Sequence, residues 1–245
     1  MMGLLVYYLN MFNIAESTAA SASPKSAGER TKELILQKAL DLFRKQGFEV
    51  ATIREIARAA KVATGAAYYY FPSKEAIVSG YYDEIQRLHA MKVREGLVGK
   101  EGLGERLAFV MHSKLEILKE DRKFLGALFR YSGEPGHPLS VFGKETGAQR
   151  KQSMESFREA LEGAEISEEL KELLPWGMWL AHLGIILYFL HDESEGQAKT
   201  HKLVDRCAEM LGSLLELTNS ALVRPFVKPF QSKMLETLRE AGWGL

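Results

Sequence analysis

A chain of 245 residues with 46% hydrophobic and 26% charged residues has the composition of an ordinary globular protein with material for a real core. Basic and acidic residues balance at 32 each, so bulk charge points to neither nucleic acid nor membrane. The single cysteine, Cys207, excludes an intramolecular disulfide framework and fits a reducing cytoplasm. It is expected to be a small core residue in the run LVDRCAEML. No Cys/His cluster has zinc spacing, so neither a metal nor a cofactor is expected. The distribution of charge is less neutral: residues 29–82 hold nine Lys/Arg against six Asp/Glu, whereas residues 83–245 hold 22 against 25. A slightly basic front thus precedes an acidic body.

The opening run MMGLLVYYLNMFNI is apolar, but it lacks the basic flank of a secretory signal and is too short to span a bilayer. The Ala/Ser-rich AESTAASASPKSAG follows it. Residues 1–28 therefore read as a flexible leader, with a membrane or partner anchor as the sharper alternative. Helix signals begin with the S-x-x-E spacing of Ser26 and Glu29, a capping box. Leu36, Ala39, Leu40 and Phe43 then repeat on one helical face, and Gly47 is placed to end the helix in a left-handed cap. A second capping box, Thr52 with Glu55, opens a helix of two or three turns whose apolar stripe is Ile53, Ile56, Ala57 and Ala60. After the turn Ala60-Lys61-Val62, the segment Ala63 to Tyr70 is a third helix or a strand. Pro72 disfavours helical geometry at Phe71, and Ser73 caps a fourth helix expected to reach about Val93.

From 105 to 220 the pattern is helical with short breaks. LAFVMHSKLEILK and KFLGALFRY are followed by the Pro/Gly-rich loop SGEPGHPLSVFGKETG and then KQSMESFREALEG. PWGMWLAHLGIILYFLHD is apolar on nearly every side and reads as a buried central helix from Pro175 to Asp192. HKLVDRCAEMLGSLLELTNS is amphipathic. The tail LVRPFVKPF reads as an extended crossing before a last short helix. No stretch alternates with period two, so the chain is expected to be all-α, with no membrane span.

Three short helices with a tight turn between the second and third make a helix-turn-helix, whose third helix enters the major groove. On these residues, TIREIARAAKVATGAAYYYFPSKEAIV resembles the DNA-binding segment of TetR-family transcriptional repressors, over about 50 residues. The remainder matches only in being helical and of suitable length. The resemblance implies a head at 29–75 and a larger helical regulatory and dimerisation body at 76–245. It further implies a homodimer that binds a palindromic double-stranded DNA operator and releases it when a small molecule enters the body.

Carried over, Thr52 meets a phosphate at a helix N-terminus, and Arg54 reaches a phosphate or a base edge. Thr64 and Gly65 stand at the front of the recognition helix, where Gly65 permits close approach and Thr64 contacts bases. Tyr68 faces the DNA, Tyr69 and Tyr70 meet its backbone, Phe71 packs beneath, and Lys74 binds a phosphate. Three positions depart from the family pattern: Ala63 replaces a capping Ser, Ala67 a Leu and Tyr70 a His. In the body, Phe124, Phe142, Trp179 and Tyr188 are candidate pocket aromatics, with His182 or Arg130 as polar anchors for a largely apolar effector. Their alternative is plain core and dimer interface. The resemblance also implies that the helices Pro175–Asp192 and His201–Ser220 pair with a second copy as a four-helix bundle. An enzyme would need more than is present, since His112 and Glu116 share a helix face but no third ligand is suggested. An activator, or a regulator that answers to a partner protein, is the closer rival.

Overall fold

A computed structural model describes residues 25–220 and 222–241, and the reading of residues 1–24 as a leader lies outside them. No strand occurs among the described residues. The first helix, α1 (Ala27–Gln46), begins at the expected capping box, two residues inside the stretch read as leader. Ser26 Oγ accepts from the Glu29 amide at 3.1 Å, and the Glu29 carboxylate accepts from the Ser26 amide at 2.7 Å. Its apolar stripe, Ile35, Leu36, Ala39, Leu40 and Phe43, is buried. Gly47 ends it with φ 90° and ψ 153°, a positive φ on an extended ψ. Glycine is needed there, but the left-handed helical cap is not what forms.

The capping box of Thr52 and Glu55 opens α2 (Ile53–Ala59), with bonds of 3.2 and 2.9 Å. Lys61 takes φ 55° in the turn, which reverses the chain within three residues. The third segment is a helix, α3 (Thr64–Tyr70), and Ala63 gives it no side-chain cap. It stops where Pro72 forces Phe71 out of helical geometry. Ser73 Oγ accepts from the Ala76 amide at 3.1 Å and starts α4 (Lys74–Gly96), three residues longer than expected.

The body contains α5 (Leu103–Leu118), a 3₁₀ turn (Lys119–Asp121), α6 (Arg122–Ser132), α7 (Gly147–Leu161), α8 (Glu168–His191), α9 (Ala198–Asn219) and α10 (Arg224–Glu240). Helices α5 and α9 cross at glycines: a Cβ on Gly212 would lie 2.9 Å from the Gly104 amide nitrogen, so only glycine allows this approach. Cys207 on α9 is half-buried, beside rather than within the buried line of Val204, Ala208 and Leu215.

Two proline readings are corrected. Helix α8 starts at Ser167, whose hydroxyl accepts from the Leu170 amide at 3.2 Å, so Pro175 lies inside the helix. Its missing N–H removes one ladder bond, which the buried packing of Pro175 and Trp176 outweighs. The tail forms a continuous helix where an extended crossing was expected: Pro225 sits in the first turn, where amides lack intrahelical partners anyway, and Pro229 lies inside the helix at the loss of one ladder bond. One described helix, Glu168–His191, is long and apolar enough to cross a membrane. It packs instead among the body helices, burying Trp176, Met178, Trp179, Ile185 and Phe189.

Candidate nucleic-acid interface and effector pocket

The N-terminal ends of α2 and α3 meet at the surface. Thr52, Ile53, Arg54, Thr64 and Tyr68 line one open concavity there. Four of these were singled out from the sequence, and the fold brings them together because the tight turn at Lys61 sets α3 across α2. Thr52, Arg54, Thr64 and Gly65 are exposed. No atom would crowd a Cβ on Gly65, so the surface in front of the recognition helix is free for close approach.

The three tyrosines divide by burial. Tyr68 is 52% exposed and Tyr69 82%, whereas Tyr70 is half-buried. The Tyr70 ring packs edge-on to Tyr69 at 5.1 Å, and its hydroxyl lies close to Gly28, where an added Cβ would be 3.3 Å away. Tyr70 therefore joins α3 to the first turn of α1. Phe71 is buried beneath the helix, at 3% exposure.

Lys74 is half-buried. Its ammonium donates to the carbonyls of Phe48 and Glu49 at 2.6 and 2.9 Å and lies 4.7 Å from the centre of the Phe48 ring. Two of its three donors thus hold the α1–α2 loop.

The head is joined to the body through α6. Phe124 stacks on Phe43 of α1 at 5.8 Å, and Tyr131 packs edge-on to Phe48 at 5.9 Å. Arg130 pairs with Glu49 of the α1–α2 loop. A different face of α6 presents Leu125 and Phe129 to a cavity of about 150 Å³ in the body. Helix α4 adds Tyr82, Ile85 and Gln86, and α5 adds Lys114 and Leu118. Gln149, Arg150 and Ser153 come from α7, and Trp179, His182, Leu183 and Ile186 from α8.

Residues 106–230 match the family described as tetracyclin repressor-like, C-terminal domain, and residues 35–80 match bacterial regulatory proteins of the tetR family. The chain belongs to the TetR family. It is a DNA-binding transcriptional regulator, and the family's members are regulators rather than enzymes. The repressor KstR of Mycolicibacterium smegmatis is 36% identical over 90 residues, 36% of this chain and 44% of that protein. The repressor KstR2 of Rhodococcus jostii is 31% identical over 124 residues, 46% of this chain and 59% of that protein. The matches thus span less than two thirds of these relatives' length.

Among solved structures, the regulator FadR of Bacillus subtilis in complex with stearoyl-CoA superposes with a TM-score of 0.55 at 18% identity, over 72% of this chain and 96% of that one. A TetR regulator from Nitrosomonas europaea gives 0.59 at 16% identity, over 73% and 96%. At these identities the likeness concerns the fold.

In this TetR-family regulator only Trp179 and His182 of the six candidate pocket residues line the cavity. Phe124 and Arg130 are on the faces of α6 that meet the head. Phe142 is 58% exposed and only touches Trp179 edge-on at 5.7 Å, and Tyr188 is 44% exposed on the outer side of α8. The polar lining of Gln86, Lys114, Gln149 and Arg150 was not singled out. For Lys114 a signal existed: in the stripe Leu107, Val110, Met111, Lys114, Leu115, Leu118, a lysine occupies an apolar position, and all six are buried.

Proposed function

We propose that this regulator is a homodimeric, ligand-responsive repressor with a head at 29–75 and a body at 76–245. It binds a palindromic operator and releases it when a small, mostly apolar molecule fills the body cavity. The observation that carries this reading is the convergence of Thr52, Arg54, Thr64 and Tyr68 on one exposed concavity at two helix N-termini. Helix N-termini favour phosphate, and the front of the recognition helix meets base edges. Thr64 and Gly65 read the groove, Tyr68 and Tyr69 reach it from the exposed face of α3, and Lys74 supplies one donor to a phosphate.

A second copy has a surface to occupy. Leu203, Met210, Leu214 and Leu217 form an exposed apolar stripe on α9, with Leu187 and Tyr188 on α8. Such a stripe at spacings of seven, four and three matches a helix-bundle seam. A DNA-binding role of the kind its relatives' names carry supports a location in the cytoplasm with the chromosome. FadR, a regulator of the same fold, is described in complex with stearoyl-CoA, which supports an effector role for the body cavity.

Selection of bound duplexes from random DNA, followed by sedimentation of the complex, tests this reading. A two-fold symmetric site bound by two chains is expected. A monomer on an asymmetric site would defeat it.

A further inference from the structure

We infer that the body cavity takes an amphiphilic monocarboxylic acid whose carboxylate pairs with Lys114 while its apolar part lies against the α6 and α8 side chains. This rests on the ligand-responsive reading above and names the chemistry of the effector.

Lys114 is 4% exposed, yet no carboxylate pairs with it among the described residues. Its one hydrogen bond goes to Gln86 Oε1 at 2.6 Å, and Gln86 is itself held by Ser153 at 2.8 Å. An ammonium has three donors, so two remain unused at the cavity wall. A buried cation without a counter-charge is costly and is rarely kept for packing alone.

The surroundings carry the same sign. Arg150, on α7, lines the cavity and donates only to the carbonyls of Val141 and Gly143, with no acidic partner. The lining contains no aspartate or glutamate. Two further buried polar atoms on the lining, Gln149 Oε1 and His182 Nε2, make no hydrogen bond. The closest acid by contact is Asp83, which accepts from Gln149 Nε2 at 2.6 Å and is exposed outside the lining. A cavity that holds basic groups and no acid is complementary to an anion.

The rest of the wall sets the class of that anion. Ile85, Leu118, Leu125, Phe129, Trp179 and Ile186 present hydrocarbon, so the body of the ligand is apolar. A cavity of about 150 Å³ suits a body of about benzene size or a medium acyl chain. A phosphate monoester would bring a second negative charge to a site with one deeply buried cation, and its desolvation would go unmatched. A carboxylate brings one charge and two acceptor oxygens, which fits the two free donors of Lys114.

The test uses the full chain and its tryptophan fluorescence, to which Trp179 on the cavity wall contributes. The probes are octanoate and 4-phenylbutanoate, each beside its primary alcohol of equal length, together with octyl phosphate. At least one acid should bind on the order of tenfold or more tighter than its alcohol, the range for one charge-assisted contact. In Lys114→Met that preference should fall to near unity, with the alcohol's affinity kept within about threefold. Binding of the probes to wild type alone already decides the sign, whether or not the variant folds. The proposal is overturned if the alcohols bind as tightly as the acids, if no acid binds, if octyl phosphate binds tightest, or if the preference survives in Lys114→Met. A parallel shift of the selected operator duplex without any probe separates the two levels. Operator binding that persists while the acids fail leaves the regulator reading standing and removes only the carboxylate.

Discussion

Arg44 of α1 and Asp121 of the turn before α6 form a buried ion pair, with Nε 2.6 Å from Oδ1 and Nη2 3.1 Å from Oδ2. Asp121 is 3% exposed, and Tyr81 of α4 donates to its Oδ2 at 2.5 Å. One carboxylate thus ties the first helix of the head, the long helix α4 and the entry to α6 at a single point. Since α6 also lines the cavity, a ligand that displaces α6 acts directly on a contact shared with the head.

Replacing Asp121 with Asn keeps the shape and removes the charge, leaving the Arg44 guanidinium without its buried partner. Loss of one member of such a pair typically destabilises by about 3–5 kcal/mol. Urea unfolding of Asp121→Asn should show a loss of this order, and operator release by ligand should weaken relative to wild type. A variant with unchanged midpoint and unchanged release would remove the pair from both roles.

The adjacent tyrosines should separate cleanly. Tyr69 is 82% exposed, so Tyr69→Ala is expected to alter stability by no more than about 0.5 kcal/mol while weakening operator binding. Tyr70 bridges α3 to Gly28, and Tyr70→Ala should cost about 1–3 kcal/mol of stability, since a half-buried aromatic contact is lost. Thermal melts and gel-shift titrations of the two variants distinguish the cases. Equal stability losses would mean that the division by burial has no energetic weight.

Lys74 carries two tasks, and Lys74→Ala should show both. Loss of a phosphate contact lowers the salt slope of operator binding by about 0.9. Loss of the bonds to the Phe48 and Glu49 carbonyls should also lower the melting temperature in the absence of DNA. An unchanged salt slope would leave Lys74 with its structural task alone.

The buried bases around the cavity make stability depend on pH. Desolvation lowers the Lys114 ammonium to about 7. Desolvation, then repulsion from Lys114, lowers His182 to about 3 and holds His89 well below its usual value. Tyr82 and Gln86 from α4, with Gln149, Arg150 and Ser153 from α7, also face Lys114 or its cavity, and burial holds the Tyr82 phenol well above its usual value. The unfolded chain binds the same protons at ordinary values, about 6.5 for His and 10.4 for Lys. It therefore holds more protons than the native state between about pH 3 and 6.5 and again between about 7 and 10.4, and stability rises with pH through both windows. Melting profiles should rise over both limbs in wild type, with the upper limb flattened in Lys114→Met. A parallel upper limb in that variant would assign the dependence to other groups.

Local sequence by itself determined where the first, second and fourth helices of the head begin, while the segment of α3 read locally as a helix or a strand. Two capping boxes, a glycine, a proline and a period of 3.6 are all short-range signals, and each acts through bonds closed within four residues. The same signals set the helical content of the body, though not the ends of α8 and α10, which run through Pro175 and Pro229 where the sequence alone reads a boundary or an extended segment. Only tertiary structure decided which face of each body helix meets what. Phe124 and Arg130 read as pocket residues because aromatics and cations line pockets, but the rotation of α6 turns them to the head and leaves Leu125 and Phe129 for the cavity. Lys114 stands out in the sequence only as a lysine on an apolar stripe; that it faces a cavity without a counter-charge was decided by the four other helices that enclose it, because burial and pairing are properties of neighbours remote in the chain.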